Sequence, residues 1–138
     1  MRRLAPLLGL ALLLAGCGGA RTVSPTPETV IGSIPTSTQA SVPAGDAKAG
    51  ATLFKSSGCD GCHKFTPAKS NKTLGPDLDK LAQYAQQANQ GSLAQFTFDS
   101  IKNPASYVQP GYQNIMPNFG QTLSDKQIAD LVAYLTKG

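Results

Sequence analysis

Five consecutive residues, Cys59-Asp60-Gly61-Cys62-His63, restrict what this chain can fold into more than any other part of its sequence. The pattern C-x-x-C-H is the one through which haem is attached covalently to a polypeptide. Two thiolates at this spacing reach the two vinyl groups of one porphyrin, and the imidazole that follows then falls on the iron. The motif therefore predicts one covalent haem c on Cys59 and Cys62, with His63 as an axial ligand of the iron.

Two other kinds of site use a similar spacing, a redox-active C-x-x-C and half of a zinc site. A thioredoxin-like motif is expected in a strand–helix–strand context, which the residues around Cys59 and Cys62 do not offer. Tetrahedral zinc needs four nitrogen or sulfur ligands, but the chain has three cysteines and one histidine. The third cysteine, Cys17, is interpreted below as a lipid attachment site, so a zinc ion would lack its fourth ligand. Both alternatives therefore fit less well than haem.

The N-terminus has the pattern of a bacterial export signal of the lipoprotein type. Residues 2–14 begin with two arginines and continue as an apolar stretch that is shorter than the roughly 20 residues of a membrane-spanning helix. Leu14-Ala15-Gly16-Cys17 resembles a lipobox, with small residues just before the cysteine. We predict a signal peptide over residues 1–16 and lipidation of Cys17, which would anchor the protein without a membrane crossing. The alternative is an ordinary signal, cut elsewhere, that leaves Cys17 as a free thiol.

Residues 17–44 are rich in Ser, Thr, Pro and Gly and carry almost no charge. Such a segment cannot bury enough apolar area to offset the entropy that it loses on ordering. We therefore predict a flexible linker between the lipid anchor and one domain over residues 45–138. As a coil, this linker would span roughly 30 Å.

Charge gives little indication of a partner. The formal net charge of +4 at pH 7 falls to +2 when Arg2 and Arg3 leave with the signal peptide. No basic stripe or nucleic-acid-binding motif is visible, which argues against nucleic acid as a partner. Four lysines near the haem motif could steer an acidic protein partner or could be ordinary solvated charges: Lys55, Lys64, Lys69 and Lys72.

The domain has helical periodicity wherever it is regular, with no run of alternating strand character. Asp46 can cap a first helix that ends at Gly58, and Pro76-Asp77 can open a second. A third is expected between Ser92 and Asn103, before a proline. The apolar positions expected to face the core are Ala47, Gly50, Ala51 and Phe54, then Leu78, Leu81 and Ala82, then Phe98 and Ile101, and finally Ile128, Leu131, Val132 and Leu135.

The last helix has the clearest start in the sequence. Ser124 and Gln127 form a capping box, and Leu123 and Ile128 are spaced as a hydrophobic staple. The Gln-rich stretch over residues 83–95 gives no comparable indication.

A helical domain of this size has little core of its own, and a buried haem would fill it. In this respect residues 46–138 resemble the class I cytochrome c family, which implies a small all-α fold with helices packed around one covalently attached haem. The first and last helices of that family cross near a glycine and aromatic residues. Gly50 and Phe54 have matching places in the first helix, and glycine allows the two backbones to approach closely. Leu131 and Tyr134 have matching places in the last helix.

The resemblance also implies the second axial ligand. Electron-transfer haems usually have His/Met or His/His ligation, and the chain has no second histidine. Met116, in Ile115-Met116-Pro117, lies between the third and last helices like the ligand loop of the family, although a lone methionine can also be ordinary core. The family likeness further places Gly75-Pro76 on the proximal side, where the Pro76 carbonyl would accept the proton on the other nitrogen of His63.

A finer likeness lies in the loop itself. Asn103-Pro104, followed by Gly-Tyr-Gln-Asn-Ile-Met-Pro over residues 111–117, is similar to the cytochrome c domain of bacterial caa3-type oxidase subunit II and to monohaem lipoproteins of alternative respiratory complexes. Subunit II has a binuclear copper motif that this chain lacks, so the likeness implies a separate carrier that feeds such a site. Within the loop, Tyr107, Tyr112 or Asn114 could bond a propionate or the Met116 sulfur, or have a structural role only.

Two filled axial positions leave no place on the iron for a substrate or oxygen. The sequence therefore favours a carrier that is not an enzyme, takes no small-molecule substrate and cycles between Fe(II) and Fe(III), with a positive potential because thioether sulfur favours the ferrous state. It would deliver electrons to a membrane haem-copper oxidase or another respiratory complex. Its expected location is the periplasmic face of the cytoplasmic membrane, with the outer membrane as the alternative. A small peroxidase-like enzyme and a haem sensor, both with a displaceable Met116, stay open.

Overall fold

The computed structural model of the protein describes residues 41–137. The predicted signal peptide, Cys17 and the predicted linker up to residue 40 lie outside the described residues. Within this range four α-helices supply most of the regular structure, in the order α1 (Ala47–Ser56), α2 (Leu81–Ala88), α3 (Leu93–Lys102) and α4 (Asp125–Lys137). The all-α fold class expected from the sequence is confirmed.

Short elements connect the helices. Two-residue strands β1 (Lys64–Phe65) and β2 (Ser70–Asn71) pair antiparallel, with Lys64 opposite Asn71 and Phe65 opposite Ser70. Two residues are too few to show a strand pattern in a sequence, so this hairpin was not predicted. Single 3-10 turns lie at Cys59–Gly61, Thr66–Ala68, Leu78–Lys80, Pro104–Ser106 and Phe119–Gln121.

Two of the helices begin at the capping residues that the sequence predicts, and a third, α3, begins after a cap at the start of its expected range. The Asp46 carboxylate accepts hydrogen bonds from the backbone of α1, at 2.8 Å from Lys48 N and 3.3 Å from Ala49 N. Ser92 caps α3 in the same way through its hydroxyl. Before α4, Ser124 N donates to Gln127 Oε1 at 2.9 Å and Gln127 N donates to Ser124 Oγ at 3.3 Å, which confirms the capping box.

The second helix differs from its prediction in register. Asp77 caps the 3-10 turn Leu78–Lys80, and α2 follows directly. Ala82, expected in the core, is exposed, whereas Ala85 is buried together with Leu81. The reason is that a 3-10 turn repeats every three residues and an α-helix every 3.6, so the buried face shifts where one passes into the other.

Helices α1 and α4 cross at the predicted glycine. A Cβ atom at position 50 would lie 2.0 Å from the backbone oxygen of Asp130, so only glycine fits at this crossing. The Phe54 and Tyr134 rings beside it are 5.8 Å apart between centroids, in an edge-to-face arrangement. Phe65 from β1 completes the aromatic group, at 5.7 Å from Phe54 and 5.3 Å from Tyr134.

The buried side chains form two clusters. The larger consists of Phe54, Phe65, Phe98, Ile101, Ile128, Leu131 and Val132, and the smaller of Leu81, Ala85 and Phe96. Val42, which lies in the predicted linker, packs against the larger cluster. None of the helices described in residues 41–137 is long and apolar enough to cross a membrane.

Candidate functional site

A cavity of about 220 Å³ lies where the two buried clusters meet. Phe54, Ile101 and Leu131 from the larger cluster line it, together with Leu81 and Phe96 from the smaller one. Among the described residues that line this cavity, none is Asp, Glu, Lys or Arg. Its walls therefore suit a ligand with a large apolar surface.

The C-x-x-C-H turn forms one wall. Gly58 has a positive φ of 74° and leads into the 3-10 turn Cys59–Gly61. The two amides that follow this turn, Cys62 N and His63 N, donate to Cys59 O at 3.2 Å and 3.0 Å. This tight winding brings Cys59, Cys62 and His63 to the same cavity. The Ser70 hydroxyl supports the turn from outside, at 2.7 Å from the Asp60 carbonyl oxygen.

Both cysteines are free and half-buried, with no disulfide between them. Burial, with a smaller contribution from the Asp60 and Cys62 charges, raises the pKa of Cys59 to about 11. Redox-active cysteines have a lowered pKa, because the thiolate is the reactive form. The environment of Cys59 therefore disfavours the redox C-x-x-C alternative. Within residues 41–137, no group of three or more His, Cys, Asp or Glu side chains is placed to hold a metal ion.

His63 is held in one orientation. Its side chain is buried, and Nδ1 lies 2.8 Å from the Pro76 carbonyl oxygen. A carbonyl can only accept, so Nδ1 carries the hydrogen in this contact and the lone pair is on Nε2. Burial lowers the pKa of His63, more than the hydrogen bond to Pro76 raises it, which favours the neutral ring. A neutral imidazole with a fixed tautomer is the form that ligates iron.

The segment before α2 packs directly on the His63 ring. A Cβ at position 75 would lie 2.6 Å from His63 Cε1, so a side chain there would collide with the imidazole. Gly75 N donates to Cys62 O at 2.8 Å, which fastens the segment to the C-x-x-C-H turn. Gly75 and Pro76 thus occupy the place next to His63 that the family resemblance implies.

The loop before α4 forms another wall. Met116 is half-buried and lines the same cavity as His63. Tyr107, Tyr112 and Asn114 line it as well, and Tyr107 is fixed by a 3.2 Å hydrogen bond from its hydroxyl to Gln109 Oε1. The structure therefore brings five of the six predicted site residues to one cavity or its immediate support: Cys59, Cys62, His63, Pro76 and Met116. The sixth, Cys17, lies outside the described residues.

Sequence reasoning missed part of the lining. Phe96 and Ser100 are one helical turn apart on α3 and both face the cavity. Of the two α3 positions that were predicted, Ile101 lines the cavity as well, and Phe98 packs in the larger cluster. A usable signal was present, because α3 is apolar on more than one side and such a helix is buried on two faces. Tyr84 on α2 also lines the cavity, and its stretch of sequence gave no indication of this.

The four lysines near the motif do not line the cavity. Lys64 pairs with Asp77 and Asp79, at 2.9 Å and 3.2 Å from their carboxylate oxygens. Exposed apolar side chains stand among the lining residues instead: Leu74, Val108 and Ile115, with exposed fractions of 58%, 37% and 54%.

These side chains fit a covalently attached haem c. Two unpaired thiols, a neutral imidazole with a free Nε2 lone pair and a thioether sulfur share uncharged walls. They are also the ligand types that electron-transfer haems use.

Comparison with known proteins agrees with this chemistry. A family model described as Cytochrome c matches residues 47–138. The chain is similar to cytochrome c from Guizotia abyssinica, with 33% identity over 109 residues that cover 70% of this chain and 93% of that protein. It is also similar to cytochrome c6 from Limnospira maxima, with 38% identity over 93 residues that cover 66% of this chain and 91% of that protein.

Proposed function

Since this chain belongs to the cytochrome c family and is a haem-based electron carrier with one covalently attached haem c, we propose that it carries single electrons to a membrane respiratory complex. In this proposal Cys59 and Cys62 hold the haem, and His63 and Met116 are the axial ligands of its iron. Cys17 carries the lipid that anchors the protein at the extracytoplasmic face of a membrane. The acceptor is a haem-copper oxidase or a similar complex.

The observation that carries the proposal is the meeting of His63 and Met116 at one cavity, whose lining within residues 41–137 includes no Asp, Glu, Lys or Arg. The bound haem c supplies a one-electron Fe(II)/Fe(III) couple. An uncharged, mostly apolar wall keeps water away from this group, and a thioether ligand favours the ferrous state. Both effects favour a positive reduction potential.

The residues around His63 suit a carrier because they allow the ring little movement. Pro76 accepts from Nδ1 at 2.8 Å. Gly75 packs so closely on the ring that a Cβ there would come within 2.9 Å of Cε1, Nδ1 and Nε2. A ligand that keeps its position in both redox states lowers the reorganisation that each electron transfer requires. The hydrogen bond to Pro76 also raises the basicity of the imidazole as a ligand.

The cavity lining also argues for a carrier over a peroxidase-like enzyme. Catalysis by such an enzyme needs an open iron position and a side chain that moves protons. The described lining residues include no carboxylate and no histidine other than His63. With Met116 on the iron, the open position is absent too.

The exposed residues at the cavity suggest the kind of partner surface. Leu74, Val108 and Ile115 are apolar, and the neighbouring polar residues Gln109 and Gln113 are uncharged. A partner that binds these residues needs a matching apolar patch. Long-range electrostatic attraction would contribute little to the rate at which the two proteins associate. This arrangement favours a partner that the protein meets by proximity, as a tethered carrier does at a membrane.

The proposal is tested by adding the reduced protein to membranes of its source organism and following its oxidation in the haem absorption spectrum. Oxidation that stops with cyanide is the expected result, because cyanide blocks haem-copper oxidases. Turnover of hydrogen peroxide by the isolated protein at an enzymatic rate would instead support the peroxidase alternative. Reversible loss of Met116 ligation on addition of nitric oxide or carbon monoxide at low concentration would support the sensor.

A further inference from the structure

Residues 62–66 and residues 75–79 are joined by a run of contacts with one constant spacing. Cys62 O accepts from Gly75 N at 2.8 Å, and His63 Nδ1 donates to Pro76 O at 2.8 Å. Each contact joins residues that are 13 apart in sequence. The two segments therefore lie side by side and run in the same direction.

The spacing continues beyond the histidine. Lys64 Nζ donates to Asp77 Oδ2 at 2.9 Å, and Thr66 donates to Asp79 through both its backbone N and its Oγ1, each at 2.8 Å. Lys64 Nζ also lies 3.2 Å from Asp79 Oδ2, so it bridges both carboxylates. We call the contacts between residues 64–66 and residues 77–79 the clamp.

The clamp lies next to the bond that orients His63. Pro76 is in a segment without helix or strand. Proline has no backbone N–H, so Pro76 cannot donate a backbone hydrogen bond that would fix its position. Its carbonyl is therefore located by its two neighbours. On one side Gly75 N is bonded to Cys62, and on the other side Asp77 is bonded to Lys64.

The Asp77 carboxylate is itself fully engaged. Oδ2 accepts from Lys64, while Oδ1 accepts from Asp79 N at 3.1 Å and caps the 3-10 turn. The side chain of Asp77 is 18% exposed and that of Lys64 42%. Ion pairs as accessible as this one add little to the free energy of unfolding. A contribution to stability therefore does not explain the Lys64–Asp77 pair.

We propose that Lys64 and Asp77 are positioning residues, whose ion pair holds the Pro76 carbonyl on the Nδ1 hydrogen of His63 and so tunes the reduction potential of the haem. A tight Nδ1–H···O bond makes the imidazole a stronger electron donor. A stronger donor stabilises the ferric state and lowers the potential. Loosening the clamp therefore raises the potential. This inference rests on the proposed function, because it takes His63 as the proximal ligand.

The test uses Lys64→Gln and Asp77→Asn, separately and together, in the full holoprotein. Asn at position 77 keeps an oxygen to cap the 3-10 turn. Charge alone moves the potential in opposite directions in the two single variants, since loss of a cation favours the ferric state and loss of an anion favours the ferrous state. In the double variant the net charge is unchanged, so the two charge effects largely offset each other. The clamp predicts that the potential of the double variant lies above that of the parent.

A second readout is independent of charge. Exchange of the His63 Nδ1 proton with solvent, followed by NMR in the reduced protein, should accelerate in all three variants. We expect roughly a tenfold increase, the factor for loss of a hydrogen bond of ordinary net strength. Lys64→Arg retains the pairing and should keep the parent's exchange rate and potential.

The matched control is the pair Lys102 and Asp125, which are 2.7 Å apart. Lys102 is as exposed as Lys64, and Asp125 is more exposed than Asp77. Lys102→Gln with Asp125→Asn makes the same charge changes away from residues 62–79 and should leave both readouts at the parent values. Parent values in the Lys64/Asp77 double variant for both potential and proton exchange would overturn the proposal.

Two further outcomes separate the clamp from the proposed function. If the parent shows no histidine-ligated haem iron, the assignment of His63 fails, and the clamp fails with it. If Asp77→Asn does not retain haem, Lys64→Gln and Lys64→Arg decide. If the Nδ1 proton of His63 exchanges faster in Lys64→Gln but not in Lys64→Arg, the clamp is supported. If the two variants have the same exchange rate, the clamp is overturned.

Discussion

The backbone N–H of Asp46 donates a 2.6 Å hydrogen bond to the carboxylate of Asp130, across 84 residues of sequence. Asp130 lies on α4 and is only 6% exposed, and its carboxylate also accepts from Lys126 one turn earlier. The bond fixes the start of α1 against the middle of α4, close to the crossing at Gly50. The two ends of the domain are thus held together by a partly buried polar contact as well as by apolar packing.

This contact predicts a dependence of stability on pH. The hydrogen bonds from Lys126 and from the Asp46 backbone lower the pKa of Asp130. The unfolded chain then binds a proton at Asp130 more readily than the folded one, so stability is full above the ordinary carboxyl pKa and is lost as pH falls through the lowered folded value. Asp130→Ala should lower the free energy of unfolding by roughly 1–3 kcal/mol at neutral pH.

Chemical denaturation of the holoprotein between neutral and acid pH measures this effect. The control is Asp125→Ala, because Asp125 forms an exposed pair with Lys102 and should cost little. Equal losses in the two variants, or an Asp130→Ala variant with the same acid dependence as the parent, would contradict the role of Asp130.

Packing against His63 gives a second prediction. Gly75→Ala places a Cβ where only 2.6 Å separates it from the ring, so either the imidazole or the backbone of the segment must move. We expect the free energy of unfolding of the holoprotein to fall by roughly 1–3 kcal/mol, as in other overpacked sites, and the His63 signals in the NMR spectrum to shift. Gly61→Ala is the control, since nothing lies within 4 Å of its Cβ position. Unshifted His63 signals in Gly75→Ala would count against this close contact.

Local signals in the sequence were sufficient for much of the fold. Asp46, Ser92 and Ser124 each mark a helix start because a cap acts on the residues directly after it. The C-x-x-C-H motif is local as well. Met116 could be singled out as the candidate second ligand because the sequence has so few possible ligands, and it lines the same cavity as His63.

What the sequence did not show depends on contacts between distant segments. The buried face of α2 could not be read correctly because the 3-10 turn that precedes it changes the period. Phe65 is buried by aromatic neighbours from both α1 and α4, and neither contact has a local pattern. The pairing of Lys64 with Asp77 depends on two irregular segments coming side by side, so Lys64 could be counted as a free surface charge until the structure was known.

Replacement of the proposed second axial ligand is the third prediction. Met116→Ala should leave the haem attached through Cys59 and Cys62 but convert it to a high-spin or water-ligated state with a lower potential, because the predicted mature chain offers no other methionine or second histidine. Absorption spectra and redox titration measure both changes. Ile115→Ala, at the exposed neighbouring position, should keep the parent spectrum. A low-spin spectrum and an unchanged potential in Met116→Ala would show that another group ligates the iron.

The fourth prediction concerns the anchor. Cys17→Ser should move the protein from the membrane fraction to the soluble fraction with an unchanged haem spectrum, because the predicted linker separates the lipid from the domain. Fractionation of cells that express either form, followed by haem staining, measures the distribution. Mass spectrometry of the parent provides the independent check. An unmodified Cys17, or a signal peptide cut elsewhere, would show that the lipobox resemblance is misleading.

The fifth prediction distinguishes an apolar docking surface from steering by lysines. Leu74 and Ile115 are more than half exposed and are among the residues that line the cavity, whereas Lys64 is already paired. Because the lining residues that the structure describes include no Asp, Glu, Lys or Arg, the rate at which the lipid-free domain reduces its partner should change by less than about twofold with salt. Electrostatic steering gives changes of tenfold or more.

Variants at these positions make the test specific. Ile115→Lys should slow the reaction at every salt concentration, because a charge placed in an apolar contact must be desolvated. Lys55→Gln and Lys72→Gln should have little effect, since neither lysine lines the cavity. The rates are measured by stopped-flow mixing with solubilised membranes, and the potential of each variant is determined in parallel so that a change in driving force is recognised. A steep decline of the parent's rate with salt, abolished in the lysine variants, would show that the partner is recognised by charge and that the exposed apolar residues serve another purpose.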